Sequence, residues 1–138
     1  MTDAQQNFTD QTQKALDIAR AKAAHYEHDH IGPVHLLFAS VNVLSGSQPK
    51  VLEEVGLDAA VVKGAAEVVL SGGPKNATPA DQLPLTANAQ EILGLAGQEA
   101  GGKQIGPEHI LRGVARKGEG FAARILTESG VSLERVLQ

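Results

Sequence analysis

The amino-acid sequence predicts an all-α protein in which two pseudo-symmetric four-helix repeats pack as one domain. The chain repeats itself at a constant offset, and within each copy the apolar residues recur at helical spacing. No stretch alternates β-branched and polar residues as a half-buried strand would, so strands are not expected. The 138 residues suffice for a single domain, 1–138, with a sizeable core. With 3% aromatic residues, that core must be built mainly from Leu, Val, Ile and Ala, a composition that favours closely packed helices.

At an offset of 74 residues, Ile31-Gly32-Pro33-Val34-His35-Leu36-Leu37 matches Ile105-Gly106-Pro107-Glu108-His109-Ile110-Leu111. In the same register Gly46 falls on Gly120, Leu52 on Leu126, Glu54 on Glu128 and Gly56 on Gly130. Upstream the offset becomes 77, where Phe8-Thr9 meets Leu85-Thr86 and Leu16, Ala19 and Ala23 meet Leu93, Ala96 and Ala100. The first copy therefore carries three extra residues, within Tyr26 to His30. Repeat one is assigned to 8–70, a linker to 71–84 and repeat two to 85–138.

The elements of each copy follow in order. Thr9 and Thr86 stand where an N-cap hydroxyl satisfies a free backbone N–H of a first helix. Neither has Glu or Gln three residues on, so no capping box forms there. Phe8 reads as a hydrophobic plug against that helix. Ala15, Leu16, Ile18, Ala19 and Ala23, and then Ile92, Leu93, Leu95, Ala96 and Ala100, give it one apolar face, and Gly101-Gly102 stops the second copy. A second helix starts at each Gly-Pro, because proline at the first helical position loses no hydrogen bond and its fixed φ suits the helix. A third spans Gln48 to Val55 and Gly120 to Ser129, with Gly56 and Gly130 as left-handed stops. A fourth covers Asp58 to Leu70, with a brief counterpart from Ser132 to the last residue. The linker, rich in Gly, Pro and small polar residues without apolar period, is expected to be exposed.

Composition removes several function classes. Twelve Lys and Arg against sixteen Asp and Glu, a net charge of -4 and no basic run leave no electrostatic footprint for a nucleic-acid partner. The absence of cysteine excludes disulfides, thiol catalysis and cysteine-bound zinc. The apolar runs are too short to span a bilayer and Met1 to Asn7 has no signal-peptide character, so a cytoplasmic protein without a membrane partner is expected. There is no His-Glu-x-x-His, no nucleophile elbow and no pair of acids at a spacing that a helix would hold across a cleft, so no enzyme and no cofactor are expected. His25, His28, His30 and His35 raise a metal-dependent enzyme as the alternative from another class, since clustered imidazoles ligate zinc or nickel. Their spacing matches no closed site. With Glu27 and Asp29 beside them, His25, His28 and His30 read as a solvated polar loop, and no metal is expected. His35 has a repeat partner in His109, which points to a shared structural role, a buried histidine bonded to backbone. Gly32, Pro33, His35, Gly106, Pro107 and His109 are accordingly structural residues of the repeat.

Together these segments resemble the Clp N-terminal domain, or Clp repeat domain, of ring-forming Clp AAA+ unfoldases. The resemblance rests on Ile-Gly-Pro-x-His followed by two aliphatic residues in each copy, on Phe8-Thr9, and on Gly118-Glu119-Gly120-Phe121-Ala122-Ala123-Arg124-Ile125-Leu126, the most specific segment. It covers essentially the whole chain. It implies a non-enzymatic docking platform for substrates and adaptors of a Clp unfoldase and its protease. The chain contains no Gly-x-x-x-x-Gly-Lys-Ser/Thr phosphate loop, so the resemblance is to the platform without its motor and ATP hydrolysis by this polypeptide is not expected. In similar domains the acidic residue before the repeated histidine binds the guanidinium of phosphoarginine, while the neighbouring threonine and helix N-terminus receive the phosphate. The resemblance carries these roles to Glu108 with Thr86 in the second copy, and to Thr9 in the first, where Val34 replaces the acid. A second departure is Ser45-Gly46-Ser47, where relatives repeat the Gly-Glu-Gly seen at Gly118 to Gly120. The family also implies cyclic peptide antibiotics as partners, with Phe8 as a contact and Leu85 at the equivalent position. The alternative function is a free-standing decoy that sequesters such antibiotics or tagged proteins from the unfoldase.

Overall fold

The computed structural model describes residues 8–72, 75 and 82–137. The polar start Met1 to Asn7 and most of the predicted linker lie outside the described residues. The helices are α1 (Asp10–His25), α2 (Pro33–Ser47), α3 (Pro49–Glu54), α4 (Ala59–Ser71), α5 (Ala87–Ala100), α6 (Pro107–Lys117), α7 (Gly120–Glu128) and α8 (Leu133–Leu137). The all-α reading holds. Among the described residues extended pairing is limited to two isolated bridges, Phe8 with Ile105 and Ile31 with Leu85, both parallel.

Local chemistry sets the helix ends. Thr9 Oγ1 accepts the Thr12 N–H at 3.1 Å and Thr86 Oγ1 accepts the Ala89 N–H at 3.0 Å, so both threonines cap as expected. α2 and α6 open on Pro33 and Pro107, and the third residue of each is histidine. His35 Nδ1 accepts the Gly32 N–H and His109 Nδ1 accepts the Gly106 N–H, each at 2.8 Å. This is the half of a capping box that glutamate usually supplies, here made by imidazole. Gly101, at φ 61°, ends α5 in the left-handed region, where a side chain would strain the backbone.

The two bridges are one contact made twice. Under the sequence offsets Phe8 corresponds to Leu85 and Ile31 to Ile105, so each repeat lends its opening residues to the other. The Thr9 N–H donates to the Ile105 carbonyl at 3.0 Å and the Thr86 N–H to the Ile31 carbonyl at 3.0 Å. The Ile31 N–H in turn donates to the Pro84 carbonyl at 2.8 Å. On one side only, the fully buried Thr12 adds its hydroxyl, which donates to the Ile105 carbonyl at 2.6 Å. Two expectations change here. Phe8 is buried, but as half of this inter-repeat bridge rather than solely as a plug on its own helix. The end of the linker is tied down at one point, since Leu83 is buried and the Pro84 carbonyl is bonded to Ile31, while Gln82 and Pro84 are exposed as expected.

α2 is the central helix, with residues from Val34 to Ser40 all buried, as are Val41, Val43 and Leu44. It packs against α1, α3, α4, α5, α6 and α7, and a helix surrounded on all sides is apolar all round. α6 is its counterpart, resting on α5, α2, α7 and α8. α5 and α6 approach most closely at Gly113, where a β-carbon would stand 2.6 Å from the Ile92 carbonyl oxygen and 3.3 Å from the Ala96 nitrogen. The corresponding positions of repeat one are Ala39 and Ala15. The larger Ile92 in place of Ala15 is thus matched by a glycine in place of Ala39.

Two outcomes follow for stability. Gly113→Ala drives a methyl into the α5 backbone and is expected to cost about 1–3 kcal/mol, read as a lower thermal midpoint by circular dichroism. Thr12→Val deletes the buried hydroxyl of the inter-repeat contact and is expected to cost about 1 kcal/mol in urea unfolding, while Thr12→Ser keeps most of it.

Candidate functional site

The starts of α6 and α2, related by the repeat, each open on a groove. The α6 groove, of about 210 Å³, is lined by Glu108, Leu111 and Arg112 of α6, by Val51, Glu54 and Val55 at α3, and by Arg135 and Val136 of α8. Arg135 Nε donates to the Glu54 carbonyl at 3.0 Å, which ties α8 to the end of α3 and sets one wall. Glu108 occupies the first turn of α6, and its carboxylate lies against the place where a side chain on Gly106 would stand. Its Oε1 is buried and has no hydrogen-bond partner among the described residues. A carboxylate oxygen cut off from water without a donor is costly, and among the described residues only this atom and the Ser40 hydroxyl are buried without a partner.

The α2 groove, of about 290 Å³, is apolar where its counterpart is charged. Pro33 and Val34 of α2, Val69 and Leu70 of α4 and Phe121 of α7 form it, with His28, Asp29 and His30 at its edge. Val34 stands where the repeat places Glu108. Phe121 is 63% exposed and also lines a second hollow with Arg124 and Leu133. The sequence reading singled out neither Phe121 by itself nor Val69 and Leu70. Only their place in an apolar run could have flagged them, and periodicity does not separate a buried valine from a groove valine.

The threonines fall differently from the expectation that Glu108 serves with Thr86. The inter-repeat bridges carry Thr9 to Ile105, three residues ahead of Glu108, and Thr86 to Ile31, three residues ahead of Val34. Lys117, at the end of α6, pairs with Glu91 near the start of α5 at 2.8 Å, so α5 and α6 run antiparallel. Thr86, five residues before Glu91, therefore lies beyond the far end of α6, roughly 20 Å along the axis from Glu108. The reason is topological: an antiparallel hairpin separates its two N-termini, and the exchange of opening residues brings in the other repeat's threonine instead.

The histidines form a defined network at the edge of the α2 groove. The Gly32 N–H donates to His35 Nδ1, so His35 carries its proton on Nε2. His35 Nε2 meets His28 Nδ1 at 2.8 Å, and His28 Nε2 meets the Leu70 carbonyl at 2.9 Å. A carbonyl only accepts, so His28 also carries its proton on Nε2 and receives the His35 proton at Nδ1. Both rings are neutral in this arrangement. Burial, then the neighbouring His28 and His30, push the His35 pKa down to about 4. His28 is thus no part of a solvated loop. It is 7% exposed, because the three extra residues let the turn fold back and fill the gap between α2 and α4. His25 and His30 are exposed, and His30 Nδ1 lies 2.7 Å from an Asp29 carboxylate oxygen, a bond that holds the Asp29 pKa below the usual carboxylate value. Repeat two lacks the three extra residues of this turn and has no histidine between Ala100 and Ile105, and among the described residues only Gly106 bonds the half-buried His109. Among the described residues no group of three or more His, Asp or Glu is placed to hold a metal ion, and no helix is long and apolar enough to cross a membrane.

Comparison with known proteins agrees with this architecture. The Clp repeat (R) N-terminal domain matches residues 7–103. The chaperone protein ClpB of Oceanobacillus iheyensis and the negative regulator of genetic competence ClpC/MecB of Bacillus subtilis are each 34% identical over 134 residues, 95% of this chain. The chain spans 16% of the length of either relative. Among solved structures, the N-terminal domain of Hsp104 from Candida albicans superposes with a TM-score of 0.76 at 19% identity, covering 94% of this chain and 86% of that one. The N-terminal domain of the chaperone ClpD from Arabidopsis thaliana gives 0.74 at 18%, covering 95% and 90%. The doubled Ile-Gly-Pro-x-His helix start, the all-α fold of the described residues and these matches lead to one conclusion: the chain belongs to the Clp repeat N-terminal domain family.

Proposed function

We propose that this chain is a non-enzymatic docking module that captures substrates or adaptors for a Clp unfoldase and its protease, with the Glu108 groove as its recognition site and a phosphoarginine side chain as the ligand. The observation that carries the reading is the buried, unpartnered Oε1 of Glu108 at the start of α6. A guanidinium fits that demand, since it offers paired N–H donors to a carboxylate and forms the stronger, charge-assisted kind of hydrogen bond. The same groove presents Arg112 and Arg135, and the first turn of α6 presents backbone N–H groups, so a ligand with a phosphate beside its guanidinium meets both signs of charge. Thr9, delivered next to Ile105, is the threonine positioned to join this site.

The α2 groove has no equivalent demand. Val34 replaces the acid, and Asp29 at its edge is bonded to His30. One phosphoarginine per chain is therefore expected, with the second groove left to apolar side chains. Phe8 is 6% exposed and held in the inter-repeat bridge, which leaves it little surface for a cyclic peptide antibiotic.

Isothermal titration with free phosphoarginine is expected to give one site per chain, weakened at least tenfold, about 1.4 kcal/mol, in Glu108→Gln with helical circular dichroism unchanged. No binding, or equal binding in the variant, would remove phosphoarginine as the ligand. The broader docking reading is tested by adding the chain to a Clp protease degrading a tagged substrate. Acceleration is expected of an adaptor, slowing would make the chain a sequestering decoy, and no effect together with an empty pull-down would overturn docking.

A further inference from the structure

We propose that His28 and His35 form an acid-releasable latch that fixes the C-terminal end of α4 against the start of α2, so that mild acid frees this end of α4 and reshapes the apolar groove it walls. The hydrogen bonds run in one direction, from the Gly32 N–H to His35 Nδ1, from His35 Nε2–H to His28 Nδ1, and from His28 Nε2–H to the Leu70 carbonyl. Each ring uses both nitrogens, one as acceptor and one as donor, and only neutral imidazole does this. A proton added to His28 lands on Nδ1 and faces the His35 Nε2–H. A proton added to His35 lands on Nδ1 and faces the Gly32 N–H. Either event sets donor against donor and places a charge in a buried site.

The surrounding groups offer that charge only the exposed carboxylate of Asp29, which is already bonded to His30. From α1, Lys22 is paired with Glu67 of α4 and lies over the rings of Tyr26 and Phe38, while His25 packs edge-on against Tyr26. In the turn, Tyr26 stacks on His28 at 5.9 Å, Glu27 is exposed, and His30 stacks on His28 at 6.3 Å while bonded to Asp29. On α7, which packs on both α2 and α4, Arg124 is paired with Glu128 at 2.9 Å. Asp29, the carboxylate that bears on His28, is exposed and engaged with His30. Because the folded state holds His35 neutral down to about pH 4 while a free histidine protonates near 6.5, the latch is fully effective above 6.5 and weakens as the pH falls toward 4. Leu70 and Val69 belong both to the latched end of α4 and to the groove with Val34 and Phe121, so release of that end alters the groove directly. Repeat two, which lacks the inserted turn and has no histidine at this place, supplies an internal control.

The test is amide hydrogen exchange of the whole chain at pH 7.5 and pH 5.0, corrected for intrinsic rates. The opening constant of Val68 to Ser71 is expected to rise roughly 30-fold on acidification, the factor set by one proton taken up near 6.5 in the open form. Amides of α5 and α6 are expected to change far less. No rise at α4, or an equal rise throughout, would overturn the latch. The double variant His28→Gln, His35→Gln preserves a donor and an acceptor at each position without a titrating ring, and is expected to keep protection at pH 7.5 while losing the rise. Should that variant fail to fold, imidazole nitrogen NMR of the unaltered chain at pH 7.5 decides: both rings protonated on Nε2 alone supports the latch, and a proton on Nδ1 of either ring overturns it.

Discussion

The carbonyls of Ile31 and Ile105 hold this fold together. Each lies just before a Gly-Pro helix start, and each accepts the backbone N–H of the threonine that opens the other repeat. A helix N-terminus cannot satisfy its own first donors, and the extended residue before it has no helical partner. Exchange meets both needs at once. The residue before Thr9 or Thr86 is held by a bridge, the threonine is oriented to cap its own helix, and the isoleucine before the next helix is buried. Neither repeat completes this by itself, so two small helical units that would expose their lead-in segments become a single core around α2 and α6.

The shared frame leaves each repeat free to differ where it is not needed for the exchange. At the position before the repeated histidine, the start of α6 carries an acid and the start of α2 a valine, and the surroundings differ to match. Glu108 shares its groove with Arg112 and Arg135, whereas Val34 shares its own with Val69, Leu70 and Phe121. The end of α4 brings Val69 and Leu70 to the second groove, and α8 brings Arg135 and Val136 to the first. A doubled sequence has become one polar and one apolar surface on a common scaffold.

Much of the architecture was legible in the sequence, because it depends on local rules applied twice. The Gly-Pro starts, the threonine caps and the glycine stops each follow from a single residue's geometry, and the repeat offsets supplied a second, independent sight of every element. What escaped was non-local. The pairing of Pro84 depends on Ile31, more than fifty residues away. The transfer of Thr9 rather than Thr86 to the neighbourhood of Glu108 depends on an exchange that leaves no mark in periodicity. His28 was read with its charged neighbours as solvated, since nothing in Tyr-Glu-His-Asp-His shows that α4 ends above it with an unbonded carbonyl.

That carbonyl gives histidine, rather than glutamate, a second use at the third position of α2. A carboxylate caps a helix equally well, but it only accepts. An imidazole that accepts the Gly32 N–H has a proton left on its other nitrogen, directed away from the backbone and able to donate onward. In repeat two this second valence meets no described partner and His109 is simply a cap. In repeat one the inserted turn supplies His28, which relays the bond to Leu70 and so closes one of the last carbonyls of α4, groups that a helix leaves open at its C-terminus. A residue needed only for capping thereby joins three segments, and it does so through the one side chain whose dual role depends on remaining uncharged.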